Sequence, residues 1–309
     1  MLVLADFPWE NAADWTGELR RQAAMHQICL PAEIPDRALI DTAVVWKVPI
    51  GFFDGMTNLR AIIVPGAGVD QLTGSDAPFP DVPILRLADP IMATRMAEYI
   101  LSMVLDHHRQ LGRYRNQQHR MVWARHFHRD PADIRISILG MGVLGKKVAE
   151  YLRMIGYQVT GWSRTPKTLP GIDVVTGEPA LLSLAERSDV LVCLLPLTPA
   201  TRGLLDQRLF DLLPEDALLI NAARGAHLVA SDLLSALDRG KPAAAVLDVF
   251  DQEPLPSESP LWRHPAVTVT PHIASLSNPI TGVQQIVCAL DKIDAGEPLE
   301  HVVDRRRGY

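Results

Sequence analysis

One stretch constrains this chain more than any other: Ile134 to Gly145, IRISILGMGVLG. A short apolar run, Ile134–Leu139, reads as a buried strand. It breaks into Gly140-Met141-Gly142-Val143-Leu144-Gly145, and a helical pattern follows with Val143, Leu144, Val148, Ala149 and Leu152 on one face. Alone, G-x-G-x-x-G fits an ordinary structural turn as well as a ligand site. Here a strand precedes it, a helix follows it, and a second strand, Gln158–Trp162, closes a βαβ unit. In that setting Gly140 permits the tight turn, Gly142 lets backbone approach a pyrophosphate, and Gly145 lets the helix pack closely on the strand. Unpaired N–H groups and the dipole at the helix start attract phosphate. The expectation is a dinucleotide site lined by Gly140, Met141, Gly142, Val143 and Leu144. A nucleotide-binding P-loop does not fit, because Lys147 stands where a Ser or Thr hydroxyl is needed for magnesium.

Beyond that turn the chain alternates. Strands are expected at Gln158–Trp162, Val190–Leu194, Ala217–Ile220, Ala243–Val249 and Val267–Thr270, with helices between, notably Ala230–Arg239 closed by Gly240. This predicts a doubly wound sheet whose ligands belong at the carboxyl ends of the strands. Three strand ends deliver polar groups: Arg224 after Asn221-Ala222-Ala223, Asp248 and then Glu253, and Pro271-His272.

The first ninety-odd residues repeat the theme. Apolar runs at Leu2–Ala5, Ala43–Trp46, Ala61–Val64 and Ile84–Leu87 alternate with helical patterns such as Trp15–His26, which argues a second parallel sheet. The run Ala61–Val64 opens into Pro65-Gly66-Ala67-Gly68-Val69-Asp70. That turn suits a small anion such as a carboxylate, or is glycine-rich for geometry alone. A long helix is expected from Met92 through Val104.

Between Asp106 and Asp130 lie six arginines and five histidines. His107-His108 or His126 with His128 suggest a metal, but no Cys or carboxylate stands at ligand spacing, so no metal is expected. A nucleic-acid patch is the sharper reading of the arginines, and the net charge of −6 argues against it. A solvated arm at a subunit interface is the preferred account.

At 309 residues and 48% apolar content the chain can build two domains. Three widely spaced cysteines, Cys29, Cys193 and Cys288, fit reduced thiols in a cytoplasm. The start MLVLADFPWE has no basic region and no apolar run reaches ~18 residues, so neither a signal nor a membrane span is expected.

A dinucleotide site beside an Arg, a carboxylate and a His describes hydride transfer to a carbonyl. The carbonyl oxygen gains negative charge as hydride arrives, and an imidazolium both stabilises it and supplies the proton. A neighbouring carboxylate favours the charged ring and fixes its tautomer. Arginine's planar fork suits an α-keto carboxylate. Taken singly, Arg224 fits a surface ion pair, Glu253 a loop acid and His272 a core histidine. Their joint placement at three strand ends favours catalysis.

These residues carry a resemblance. GAGVD at 66–70, LGMGVLG at 139–145, GWSRTPK at 161–167, LLPLTPATRGLL at 194–205, NAARGAHLV at 221–229, LDVFDQEPLPSESPLW at 247–262, TPHIAS at 270–275 and the tail VDRRRGY resemble the D-2-hydroxyacid dehydrogenase family. Within it they are most similar to the glyoxylate/hydroxypyruvate reductase A branch. The resemblance implies two doubly wound α/β domains, with a Rossmann cofactor domain at 99–280 inserted into a flavodoxin-like substrate domain at 1–98 and 281–309. It implies that Arg224 holds the substrate, Glu253 polarises His272, and His272 is the general acid/base. It further implies that Ala67-Gly68 bind the substrate carboxylate, that Trp46 lines the pocket, and that Leu195, Pro196, Ala222, Ala223, Arg224 and Asp248 contact the cofactor. A homodimer through the cofactor domain is implied as well.

NAD-selective members carry an acid at the end of the second strand to bind the ribose 2′-hydroxyl. Here that place reads Trp162-Ser163-Arg164-Thr165-Pro166-Lys167. With no acid to repel a phosphate, and with Arg164 and Lys167 offering positive charge and donors beside Ser163 and Thr165, NADP(H) is favoured over NAD(H). Two other readings stay open at this stage: an NAD-linked dehydrogenase of another 2-hydroxy acid, such as a phosphoglycerate type, and a non-catalytic corepressor of the same fold.

Overall fold

The computed structural model describes residues 1–7, 9, 11–34, 36–73 and 79–305. The last four residues of the tail motif therefore lie outside the described residues. The elements run β1 (Leu2–Asp6), α1 (Ala12–Gln22), β2 (Gln27–Cys29), β3 (Thr42–Val45), β4 (Ala61–Val64), α2 (Asp70–Thr73), β5 (Ile84–Arg86) and α3 (Pro90–His108). They continue with α4 (Leu111–His119), β6 (Arg135–Leu139), α5 (Val143–Ile155), β7 (Gln158–Trp162), β8 (Asp173–Val175), α6 (Glu178–Glu186) and β9 (Val190–Cys193). Last come α7 (Gln207–Leu212), β10 (Leu218–Asn221), α8 (Ala230–Asp238), β11 (Ala244–Leu247), β12 (Val267–Val269) and α9 (Pro279–Ala295).

These elements form two compact units, Met1–Ile91 with Ser277–Tyr309, and Met92–Leu276. The divisions fall at 91/92 and 276/277, not at the expected 98/99 and 280/281. The reason is α3, whose Met96, Ala97, Ile100 and Val104 are buried in the core of the second unit, so nearly the whole helix belongs there.

In the first unit a parallel sheet has the order β2-β1-β3-β4-β5, the flavodoxin arrangement. Alternate residues on each strand face opposite sides. Val3, Ala5, Val44, Ala61 and Ile63 pack with Trp15 and Leu19 of α1 and Val283, Ile286 and Leu290 of α9. Leu4, Ala43, Val45, Ile62 and Val64 fill the other face with Ile40, Leu72 and Val303. A Cβ at Gly282 would lie 2.5 Å from the Trp15 ring, so α9 crosses against α1 where only glycine leaves room.

In the second unit all seven strands are parallel, in the order β12-β11-β10-β9-β6-β7-β8. This is the Rossmann order with one further strand beyond the sixth. Ile136, Ile138, Val190, Val192, Leu218 and Ile220 pack under α3 and α5. Leu139, Leu191, Cys193 and Leu219 pack under α6, α7 and α8. Burying each such Leu or Ile contributes roughly 1.5–3 kcal/mol, which makes these covered strands the stable frame for the loops at their ends.

Two strands lack a sequence signal, β2 and β8. Each has three residues at the outer part of its sheet, too few to show a period. One helical assignment also fails: Val143 is 58% exposed, not on the buried face of α5. It is the first residue of the helix, and the buried face begins at Gly145, then Val148, Ala149 and Leu152. Among the described residues no helix is long and apolar enough to cross a membrane.

Candidate active site

Parallel strands place all their carboxyl ends along one edge, and the expected residues gather there. The glycine turn follows β6. Gly140 has φ +106°, which an L side chain rarely adopts, and a Cβ there would also lie 2.5 Å from the Leu194 carbonyl oxygen. At Gly145 a Cβ would lie 2.0 Å from the Gly140 carbonyl oxygen, so the helix leans directly on the turn. Gly142 differs: nothing lies within 4 Å of its Cβ position. That open space fronts the start of α5, where Gly142 supplies no side-chain cap for the first-turn N–H groups. The cradle fits a pyrophosphate.

β7 leads into the segment expected to meet the cofactor ribose. Ser163 is 5% exposed, and its hydroxyl donates to the Thr165 carbonyl at 2.6 Å. Ser163 therefore shapes the turn that carries exposed Arg164 and Thr165. Lys167 bends back, and its Nζ donates to the Met141 carbonyl at 2.8 Å. An ammonium group thus sits on the glycine turn itself.

The loops after β9, β10 and β11 interlock. Asn221, fully buried, accepts from Ala223 N at 3.2 Å and donates to the Arg224 carbonyl at 3.0 Å. This ties the turn that carries Ala222, Ala223 and Arg224, and Arg224 Nη1 donates to the Ala223 carbonyl at 2.7 Å. Buried His227 lies 3.2 Å from the Arg224 carbonyl and 3.3 Å from that of Pro196, linking this turn to the Leu195-Pro196 loop. A Cβ at Gly225 would lie 1.8 Å from the Phe250 carbonyl carbon. That contact brings the Arg224 turn against the loop bearing Glu253.

Glu253 Oε1 accepts from Phe250 N at 2.9 Å, and Oε2 lies 2.7 Å from His272 Nδ1. Burial opposes ionisation of Glu253. The His272 bond, the Phe250 N–H and the charges of His272 and Arg224 outweigh it, so its carboxyl titrates below the usual range. Both side chains stay open, His272 at 43% and Glu253 at 36% exposure. The structure thus brings Arg224, Glu253 and His272 together. Asp248 is 1% exposed: its Oδ1 accepts from Thr270 Oγ1 at 2.6 Å and Ile273 N at 2.9 Å, and its Oδ2 from Ala274 N at 2.9 Å.

The remaining expected residues lie in the first unit, at the carboxyl edge of its own sheet. Trp46 follows β3, and its ring covers Gly66, where a Cβ would lie 2.1 Å from Cζ3. Trp9 packs edge-on to it with ring centroids 5.6 Å apart. Ala67 and Gly68 follow β4, ahead of α2. Sequence reading placed Lys167 among the cations after β7 but missed its bond to the glycine turn, and it missed the roles of His227, Gly225 and the partners of Asp248. None of these carries a local signal, since each depends on a partner distant in sequence. Among the described residues no cluster of three or more metal-ligating side chains occurs.

A Rossmann-ordered sheet with an open glycine cradle and an Arg, Glu and His at the same edge defines an NAD(P)-dependent dehydrogenase. The model of the D-isomer specific 2-hydroxyacid dehydrogenase NAD-binding domain matches residues 101–274, and the chain belongs to that family. It is 38% identical over 314 residues to a glyoxylate/hydroxypyruvate reductase A from Salmonella typhimurium, with 100% of both chains covered. A D-isomer specific 2-hydroxyacid dehydrogenase from Xanthobacter autotrophicus Py2, solved with NADPH and MES, is 40% identical, covers 100% of this chain and 99% of its own, and gives a TM-score of 0.93. An NADPH-dependent glyoxylate/hydroxypyruvate reductase from Sinorhizobium meliloti, solved with NADP and sulfate, is 35% identical with the same coverage and a TM-score of 0.93.

Proposed function

We propose that this chain reduces small 2-keto acids, glyoxylate and hydroxypyruvate foremost, to 2-hydroxy acids with NADPH. The observation that carries the reading is the 2.7 Å contact between His272 Nδ1 and Glu253, beside Arg224, at the carboxyl edge of a dinucleotide-binding sheet. The relatives named above support it. The bound nicotinamide supplies a hydride to the carbonyl carbon. Arg224 binds the carboxylate and the carbonyl oxygen of the substrate in its planar fork. His272, its Nδ1 turned to Glu253, presents Nε2 to that oxygen and delivers the proton as negative charge develops. Glu253 holds the ring and favours its charged form.

Gly140–Leu144 hold the pyrophosphate, with the start of α5 supplying donors. Arg164 and Thr165, on the turn tied by Ser163, take the 2′-phosphate. Leu195, Pro196, Ala222, Ala223 and Asp248 border the nicotinamide half. The unit with the seven-stranded sheet is the cofactor domain, and the other is the substrate domain. There Ala67 and Gly68 bind the substrate carboxylate and Trp46 walls the pocket.

A homodimer through the cofactor domain completes the reading. The arm beyond α4 exposes Met121, Trp123 and Phe127 at 93, 94 and 88%. Among the described residues, Gln117 Oε1 on α4 and His126 Nε2 and His128 Nδ1 on the arm are buried without partners. Exposed aromatic surface beside unsatisfied polar atoms is what a second copy covers. We place the enzyme in the cytoplasm, supported by three free thiols, Cys29, Cys193 and Cys288.

Steady-state kinetics over a panel of 2-keto acids with each cofactor test the function. Glyoxylate and hydroxypyruvate with NADPH should give the highest kcat/KM. Tight NADPH binding without turnover would indicate a binding protein of the same fold, and a preference for NADH with a phosphorylated acid would indicate the phosphoglycerate type.

A further inference from the structure

His272 has φ +55°, the left-handed region, where a residue other than glycine is strained. The bonds that hold it there centre on one buried residue, with a further one from His272 N to the Thr270 carbonyl at 3.1 Å. His272 N donates to the Asp248 carbonyl at 2.9 Å, and the next two N–H groups, Ile273 and Ala274, both donate to the Asp248 carboxylate at 2.9 Å. Hydrogen bonds to a carboxylate are stronger than those between neutral groups, and two of them here offset the backbone strain. The His272 backbone is therefore as well placed as Asp248 is.

Asp248 is in turn oriented by a chain that crosses to α3. Thr270 Oγ1 lies 2.6 Å from Asp248 Oδ1 and 2.7 Å from Tyr99 Oη. A carboxylate only accepts, so the single Thr270 proton points to Asp248. The Tyr99 contact must then use the Tyr99 proton, and the chain runs Tyr99 to Thr270 to Asp248. Burial, partly offset by the Thr270 bond, pushes the Tyr99 phenol up to about 12, so it remains a donor at any working pH. The same helix grips the far end of the loop: Ser275 Oγ donates to the Met92 carbonyl at 2.8 Å, and Arg95 Nη1 to that of Leu276 at 2.6 Å.

We propose that Tyr99 and Thr270 are positioning residues for the reaction, acting through Asp248 to hold His272 in proton-transfer geometry. They touch neither substrate nor reacting atoms. The inference rests on His272 being the proton donor, as set out above. It predicts that loss of the Thr270 hydroxyl damages the chemical step more than it damages binding.

The test uses the full chain and four variants: Thr270→Val, Thr270→Ser, Tyr99→Phe and His272→Asn. For each, kcat and KM for glyoxylate are measured per NADPH-binding site, together with the NADPH Kd from fluorescence. Thr270→Val keeps the shape without the hydroxyl, and its kcat should fall roughly 10²-fold, as for a misplacement of about 1 Å. The NADPH Kd should hold, and glyoxylate KM should change far less than kcat. Thr270→Ser returns the hydroxyl and should recover most of the loss, which a role in bulk stability alone does not explain. Tyr99→Phe leaves the Thr270–Asp248 bond in place and should fall between wild type and Thr270→Val. It also carries the test should Thr270→Val not fold. Wild-type kcat in both Thr270→Val and Tyr99→Phe, with His272→Asn inactive, overturns the positioning role alone. An active His272→Asn overturns the donor assignment, and the positioning role with it.

Discussion

Glu253 reaches His272 with one carboxylate oxygen, at 2.7 Å from Nδ1, while its other oxygen accepts from Phe250 N at 2.9 Å. The ring is thus held from its Nδ1 side by an acceptor that its own loop fixes. Because Glu253 titrates below the usual carboxylate range, it is ionised throughout the neutral region. Reduction needs the protonated imidazole, so kcat/KM for reduction should be high at low pH and fall as pH rises, and oxidation should show the opposite limb. Glu253→Gln keeps the shape and removes the charge that faces an imidazolium, so the reductive limb should move to lower pH. Coincident limbs in wild type and Glu253→Gln would remove Glu253 from this role.

Arg224 occupies a turn fixed by Asn221 and by the close approach of Gly225 to Phe250. Lysine at this position keeps the charge and loses the fork. Arg224→Lys should therefore lower kcat/KM on the order of 10²-fold or more, with the NADPH Kd little changed. Near-normal kcat/KM in that variant would place the substrate clamp on another residue.

We expect cofactor choice to turn on the segment after β7. Ser163 is buried and bonded to Thr165, and it ties the turn that carries exposed Arg164. Arg164→Asp should raise the KM for NADPH strongly and that for NADH little. An equal rise for both would show that Arg164 does not read the 2′-phosphate.

Much of this was legible in sequence, because the signals are local. The strand, glycine turn and helix at 134–155 announce their geometry within a few residues, and the alternation of apolar runs announces two covered parallel sheets. Arg224, Glu253 and His272 were found because strand ends of one parallel sheet share an edge. What was not legible depends on distant pairing. Tyr99 meets Thr270 across 171 residues, and nothing in either neighbourhood marks the contact. Gly225 reads as one more turn glycine, although its φ is ordinary and its role is to let Phe250 approach. Val143 was assigned to the buried face because hydropathy ignores where a helix begins.

The last prediction concerns Asp189, which joins the base of the 106–130 arm to the sheet. Its carboxylate accepts from Arg129 Nη1 at 2.7 Å, Arg135 N at 2.8 Å and Arg135 Nε at 3.1 Å, with 15% of its side chain exposed. Burial opposes ionisation, but the bonds from Arg129 and Arg135 outweigh it and lower the pKa. An aspartate in the unfolded chain titrates near about 3.9, so the folded state binds this proton less readily. The stabilisation is therefore complete above that value and is lost as pH falls through the lower, folded one. Asp189→Asn should cost about 1–3 kcal/mol at neutral pH, toward the low end because both arginine side chains are 47% exposed. Urea unfolding of wild type and Asp189→Asn at neutral pH and near about pH 3 checks the sign, since the gap between them should shrink at the acid end. A gap of constant size would mean that Asp189 contributes through packing and not through its charge.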